Sequence, residues 1–224
     1  MKKTFLIILS IFLSLQSYAQ AVRREAALWT FMSLTKPMGD RWSLSGQTEI
    51  RTGDNFADFY LWYLDGSVKY KLNNWITLST GIDYIKIHSA ATATRGSLWR
   101  TDWRPFIGII PNWKMGKIRA SLFGSLSYNW LPEDNVDGVK VSGKAYYLVR
   151  HKLSLSYPIS NSKFTPQFAF ELRNTKKLER IRLTLGTAYK FDQRNAMELA
   201  LIYQDKHYGT KSTALSVGYR YTLL

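Results

Sequence analysis

The sequence predicts an all-β protein, an up-and-down antiparallel transmembrane β-barrel of about 10–12 strands. In the stretch RWSLSGQTEIR, residues 41–51, odd positions are polar and even positions are mostly apolar. Because neighbouring side chains of a strand point to opposite faces, such a segment has one polar and one apolar face. The alternating runs are also long, at about 11–14 residues, and a tilted strand needs about 9–11 to cross hydrocarbon. Tyr and Trp crowd the ends of the apolar stripes, as in the interfacial girdles of membrane barrels.

The same alternation recurs in eleven segments along the chain. The predicted strands cover residues 26–36, 41–52, 58–72, 75–88, 99–113, 118–130, 146–158, 163–173, 178–191, 195–206 and 211–224. Turn-forming residues at 37–40, 73–74, 115–117, 160–162 and 192–194 predict tight periplasmic turns. Longer segments at 89–98 and 131–145 predict outer loops. An odd count puts the two termini on opposite sides, and bacterial barrels usually have even numbers, so we expect twelve strands, or else ten.

Two kinds of barrel show this alternation, and the sequence favours the membrane kind. A soluble barrel has its apolar face inside, whereas a membrane barrel turns that face to lipid and has a polar lumen. Soluble strands average only about 5–6 residues. The polar face here also mixes small residues with charges of both signs, which suits a packed lumen. We therefore expect Glu49 inside and Leu44 and Ile50 in lipid, in a sheet that closes because lipid cannot satisfy a free edge.

The N-terminus predicts export. Lys2 and Lys3 precede the apolar stretch Phe5 to Leu15, and Ala19 is suited to signal-peptidase cleavage. We expect residues 1–19 to be a cleaved signal peptide and residues 20–224 to form the barrel domain in the outer membrane. No residue is a cysteine, so neither a disulfide framework nor a thiolate metal site exists.

The chain is strongly basic, with a formal net charge of +15, and loss of Lys2 and Lys3 leaves +13. An exported protein rarely meets nucleic acid, so we expect no nucleic-acid partner. The better partners are anionic lipid, through lipopolysaccharide or phospholipid phosphates, and a small anionic solute. No mature segment approaches 18 uninterrupted apolar residues, which excludes transmembrane helices. The oligomeric state is left open by the sequence.

Short motifs that suggest a known family are spread along the mature chain: Leu28-Trp29-Thr30, Arg41-Trp42-Ser43-Leu44-Ser45, Glu49-Ile50-Arg51, Tyr70-Lys71-Leu72, Arg104-Pro105-Phe106, Lys117-Ile118-Arg119, Arg150-His151-Lys152-Leu153 and Arg182-Leu183-Thr184-Leu185-Gly186. In these residues the chain resembles the uncharacterised outer-membrane barrel family DUF2490. The resemblance implies the barrel fold and the outer-membrane location, and it implies no activity. The final residue, Leu224, departs from the aromatic on which such barrels commonly end.

Strand alternation places eleven cationic and six anionic side chains in the lumen. The functional interpretation is a narrow anion-biased channel or a solute-binding barrel with a cationic lumen. The structural alternative is a closed ion-pair network that plugs a small barrel, leaving the loop 131–145 for surface contacts. The strand that carries Arg100 and Asp102 has the densest cluster. The candidate lumen and solute-binding residues are Glu49, Arg100, Asp102, Arg104, Arg119, Arg150 and Arg182.

The sequence gives little support for a catalytic function. The three histidines, His88, His151 and His207, are scattered, and neither GxSxG nor HExxH occurs. Three scattered histidines are also a poor metal site. We therefore expect a protein without enzyme activity, cofactor or metal. A lipid-modifying enzyme that uses His151 or His88 is the less favoured alternative.

Overall fold

The alternating segments form strands in the computed structural model, which describes residues 24–53, 56, 58–89, 98–136, 139–207 and 211–223. The predicted signal peptide, residues 1–19, lies outside the described residues. Within these ranges no helix is long and apolar enough to cross a membrane. The strands are β1 (Arg24–Met38), β2 (Trp42–Gly53), β3 (Asp58–Lys71), β4 (Ile76–Ser89), β5 (Leu98–Met115), β6 (Ile118–Leu131), β7 (Asp134–Val136), β8 (Val139–Val141), β9 (Lys144–Ser156), β10 (Phe164–Asn174), β11 (Leu178–Lys190), β12 (Asn195–Lys206) and β13 (Lys211–Thr222).

Eleven of these strands close into one barrel, in the order β1-β13-β12-β11-β10-β9-β6-β5-β4-β3-β2. The prediction that the sheet closes is confirmed, and each of the eleven predicted segments is a barrel strand. The expectation of twelve strands was wrong. The first and last strands run parallel, in register from Arg24 opposite Lys211 to Thr35 opposite Thr222. The parallel pairing gives hydrogen-bond partners to both edge strands, β1 and β13. The all-antiparallel arrangement predicted from sequence is therefore wrong at this one junction, here called the seam.

Tight turns gather at one end of the barrel, here called the turn end. Gly39 and Gly116 adopt positive φ of 70° and 58° there, which glycine does without steric cost. Asn73 Oδ1 accepts hydrogen bonds from the N–H groups of Trp75 and Ile76, at 2.8 and 2.9 Å. Asp192 likewise accepts from the side chain of Asn195 and from the following backbone N–H groups, which lowers its pKa. The predicted turn chemistry is confirmed at these sites.

The opposite end, the loop end, has longer connections. The segment 131–145, predicted as a plain loop, contains the antiparallel β7–β8 hairpin, in which Asp134 pairs with Val141. Arg100 Nη2 donates a hydrogen bond to the Ser142 carbonyl oxygen at 3.3 Å and so joins β5 to this segment. One connection at this end, between Asn174 and Leu178, is short.

The outer surface is apolar between two aromatic belts. On β5 the outward-facing Trp103 and Trp113 enclose Ile107 and Ile109, and Ile107 is 64% exposed. Ten residues at about 3.4 Å each, tilted by about 40°, rise by about 26 Å, which matches the apolar band of about 25 Å in membrane barrels. Ring contacts along the belts include Trp62–Tyr84 at 5.8 Å and Tyr84–Trp103 at 4.7 Å near the loop end, and Trp42–Tyr70 at 4.6 Å and Phe164–Tyr189 at 4.9 Å near the turn end.

Candidate functional site: the cationic lumen

The barrel encloses a cavity of 1120 Å³ whose wall is strongly cationic. Eleven Lys and Arg side chains line it, against five Asp and Glu side chains. Eleven strands about 4.8 Å apart and tilted by about 40° give a backbone radius of about 11 Å. Long side chains from opposite walls therefore approach one another inside the lumen.

The structure brings most of the sequence-predicted candidates to this cavity. Its wall includes Glu49, Arg104, Arg119, Arg150 and Arg182. Strand alternation was therefore sufficient to orient these side chains, and their role stays a prediction.

Two candidates from the cluster on β5 are not among the residues that line this cavity. Arg100 is engaged with the Ser142 carbonyl oxygen at the loop end. Asp102 is 2% exposed and forms a salt bridge with Arg104. Of this cluster only Arg104 lines the cavity, and solute binding by Arg100 and Asp102 stays a prediction.

One carboxylate at mid-height collects three arginines, and we call this group the Glu171 cluster. Glu171 Oε2 accepts from Arg150 Nη2 at 2.6 Å and Nε at 2.9 Å. Glu171 Oε1 accepts from Arg173 Nε at 2.8 Å and lies 3.4 Å from Arg182 Nη1. Three guanidinium groups and one carboxylate give the cluster a net charge of +2. The carboxylate side chain is 3% exposed, so these charges interact where the dielectric constant is low.

A buried indole extends this cluster towards β1. The Trp29 ring, 2% exposed, has the guanidinium carbons of Arg51 and Arg182 at 3.9 and 4.7 Å from its centroid. Arg51 Nε in turn bonds Glu49 Oε1 at 2.5 Å. These cation–π contacts cross the lumen from β11 to β1, so the stack narrows the passage. Sequence analysis missed Trp29, although a large aromatic on the polar parity of its strand was the available signal.

The acidic side chains occupy a limited part of the wall. Tyr63 donates a hydrogen bond to Asp83 Oδ1 at 2.8 Å, and Asp65 lies opposite Asp83 in the β3–β4 ladder. Near the turn end Arg220 Nη2 bonds Glu198 Oε2 at 2.8 Å, and Gln167 donates to the other oxygen at 3.2 Å. The carboxylates of Asp83 and Glu198 already have hydrogen-bond partners in the wall. Because cations outnumber carboxylates in the wall, the lumen keeps an excess of positive charge.

Small side chains widen the turn-end half of the lumen. The residues that line the cavity there include Ser67, Ser79, Ser121, Ser125, Ser154, Ser156, Ala169, Gly186, Ala200 and Ser216. A second cavity of 340 Å³ lies at the turn end and shares Arg119, Glu198 and Arg220 with the first. It is also lined by Lys190 and Arg194, so the mouth of the lumen is basic as well.

The histidines lie away from this wall. His151 faces outward on β9 and is exposed, with Gly124 and Leu172 opposite it on the neighbouring strands. The His88 ring lies 4.9 Å from the Trp99 ring at the loop end. Among the described residues, no group of three His, Asp or Glu side chains is arranged to hold a metal ion.

Comparison with known proteins places the chain in a family. A family model described as "Protein of unknown function (DUF2490)" matches residues 26–215. The chain belongs to this family. The DUF2490 chain matches no curated protein.

Two solved structures share the barrel fold. The beta domain of the Bordetella autotransporter BrkA is 12% identical, with a TM-score of 0.54 over 87% of this chain and 97% of that one. The NanC porin is 13% identical, with a TM-score of 0.55 over 91% of this chain and 100% of that one. At this identity the likeness shows the fold alone.

Proposed function

We propose that this DUF2490 barrel lies in the outer membrane and that its cationic lumen admits and binds small anionic solutes. The observation that carries the proposal is the wall of the 1120 Å³ cavity, with eleven cations and five carboxylates. Fixed positive charge in a narrow lumen raises the local concentration of anions and repels cations. The porin and autotransporter likeness supports a barrel without enzyme activity, and His151, which faces outward on β9, supports the same view.

The proposed orientation of the barrel in the membrane follows from the lengths of the connections at its two ends. Bacterial membrane barrels have short periplasmic turns and longer extracellular loops. The turn end, with Gly39 and Gly116, would then face the periplasm, and the β7–β8 hairpin would face outward. Basic residues at the turn end, such as Lys36 and Lys163, are placed to pair with lipid phosphates.

Chloride efflux from liposomes tests the proposal. The purified barrel is reconstituted into chloride-loaded vesicles with valinomycin and potassium, which compensate for the charge that moves. A chloride electrode then follows release. We expect efflux above that of protein-free vesicles, and a drop of at least threefold in the variant Lys69→Gln/Arg119→Gln, which removes two lumen cations.

The matched control removes two cations outside the lumen. Lys36 is exposed on the outward face of β1, and Lys117 is exposed in the β5–β6 turn. The variant Lys36→Gln/Lys117→Gln should keep wild-type efflux. An equal drop in both variants would contradict a role for lumen charge.

A plugged barrel is the second candidate. It is favoured by the Trp29 stack, in which Arg51 and Arg182 approach one ring from different strands. In that case folded protein gives no efflux, and the β7–β8 hairpin carries the surface contact. Protein that merely failed to fold would lose heat-modifiable migration on gels, whereas a folded but plugged barrel keeps it.

A further inference from the structure

We propose that Ser121 and Ser154, flanked by Lys152 and Arg119, form a binding site for a small tetrahedral oxyanion such as a phosphate group. The inference deepens the proposed function, because the site lies on the wall of the same lumen. All four residues line the 1120 Å³ cavity.

Strand register assembles the site. Ser121 on β6 lies directly opposite Ser154 on β9, so the two hydroxyl groups face the cavity side by side. Lys152 lies two positions from Ser154 along β9, and Arg119 lies two positions from Ser121 along β6. Two residues span about 7 Å of strand, a distance that an extended Lys or Arg side chain bridges. An oxyanion over the serine pair therefore has a cation on each side.

Lys152 forms no salt bridge of its own. Lys152 lies opposite Glu171 in the β9–β10 ladder, yet the Glu171 oxygens are taken by Arg150, Arg173 and Arg182. No salt bridge joins Lys152 to a carboxylate anywhere in the part of the chain that the structure describes. A half-buried ammonium group beside three arginines is stabilised by an added anion.

The entrance to the site is positively charged, as the site itself is. Arg119 lies opposite Ser156 at the turn end and belongs to both the main cavity and the 340 Å³ mouth. The mouth also presents Arg194 and Arg220. An anion that enters from the turn end meets cationic side chains before it reaches the serine pair, which speeds its capture.

Serine suits this ligand. Each hydroxyl donates one hydrogen bond and leaves space that a larger side chain would fill. Charge-assisted hydrogen bonds from Lys and Arg to phosphate oxygens are short and strong. Ser121 and Ser154 thus supply the neutral donors, and Lys152 and Arg119 supply the charge.

Calorimetric titration of the folded, detergent-solubilised full chain with inorganic phosphate tests the site. We expect wild-type binding, and a loss of affinity of at least tenfold in Lys152→Gln and at least threefold in Ser154→Val. Lys176→Gln is the matched control, since Lys176 is an exposed lysine in the β10–β11 connection at the loop end, outside the lumen wall. It should change affinity by less than threefold. Heat-modifiable migration confirms folding of each variant.

The outcomes separate this inference from the proposed function. Equal losses in Lys152→Gln and Lys176→Gln, or tighter binding of acetate than of phosphate, would overturn the oxyanion site. Chloride efflux without phosphate binding would overturn the site and leave the anion-conducting lumen standing. Phosphate binding that depends on Lys152, without efflux, would support the site and remove conduction from the proposed function.

Discussion

Removal of the Glu171 carboxylate is the sharpest perturbation of the lumen. The change Glu171→Gln keeps the shape of the side chain and leaves Arg150, Arg173 and Arg182 without their shared counter-ion. Loss of one partner from a buried ion pair destabilises a protein by about 3–5 kcal/mol. The Arg150 side chain is 26% exposed and retains some hydration, so we expect about 3 kcal/mol.

The assay is urea unfolding of the refolded barrel in lipid vesicles, followed by tryptophan fluorescence. The control is Glu179→Gln at the loop end, where the partner Arg180 lies at 3.4 Å and the Glu179 side chain is 37% exposed. An exposed pair of this kind contributes less than about 1 kcal/mol. A Glu171→Gln barrel within about 0.5 kcal/mol of wild type would refute the claim that this carboxylate organises the cluster.

Three further predictions concern the seam and the stack. Trp29→Ala should lower the free energy of unfolding by about 3–5 kcal/mol in the same urea assay, because it removes a buried ring that two guanidinium groups contact. Gly218→Val should reduce the yield of heat-modifiable barrel, because a Cβ at Gly218 overlaps the Phe31 ring across the seam. Thr30→Cys/Val217→Cys should form a disulfide on mild oxidation, seen as a faster band on a non-reducing gel, because these residues pair in the parallel register.

Each of these has a control within the chain. Trp29→Phe should recover part of the lost stability, since a smaller ring still contacts the guanidinium groups. Gly66→Val should cost less yield than Gly218→Val, because nothing lies near a Cβ at Gly66. Thr30→Cys/Leu201→Cys should stay reduced, because Leu201 lies on β12, two strands from β1. The reverse result in any pair would contradict the corresponding contact.

Local alternation was enough to predict the strands and the orientation of their side chains. Each lumen residue is fixed by the period of two along its own strand, so Glu49, Arg150 and Arg182 could be placed from the sequence alone. Turn chemistry at Asn73 and Asp192 was equally local, because each side chain accepts from backbone N–H groups two and three residues onward.

Contacts between strands distant in sequence could not be predicted in this way. The eleven predicted segments imply a parallel seam, but the even number expected for bacterial barrels overrode that count. The β1–β13 pairing itself depends on closure of the whole sheet and has no local signal. The same holds for Trp29, whose partner Arg182 comes from a strand far along the chain. The hydrogen bond from Arg100 to Ser142 could not be predicted either, because it depends on the path of a loop that strand periodicity does not describe.

The reversal potential of the wild-type barrel in a planar bilayer tests the central claim most directly. With tenfold more potassium chloride on one side, the cationic lumen predicts single-channel currents whose reversal potential has the sign of the chloride equilibrium potential. A reversal potential near zero, or one with the sign of the potassium equilibrium potential, would contradict an anion-selective lumen.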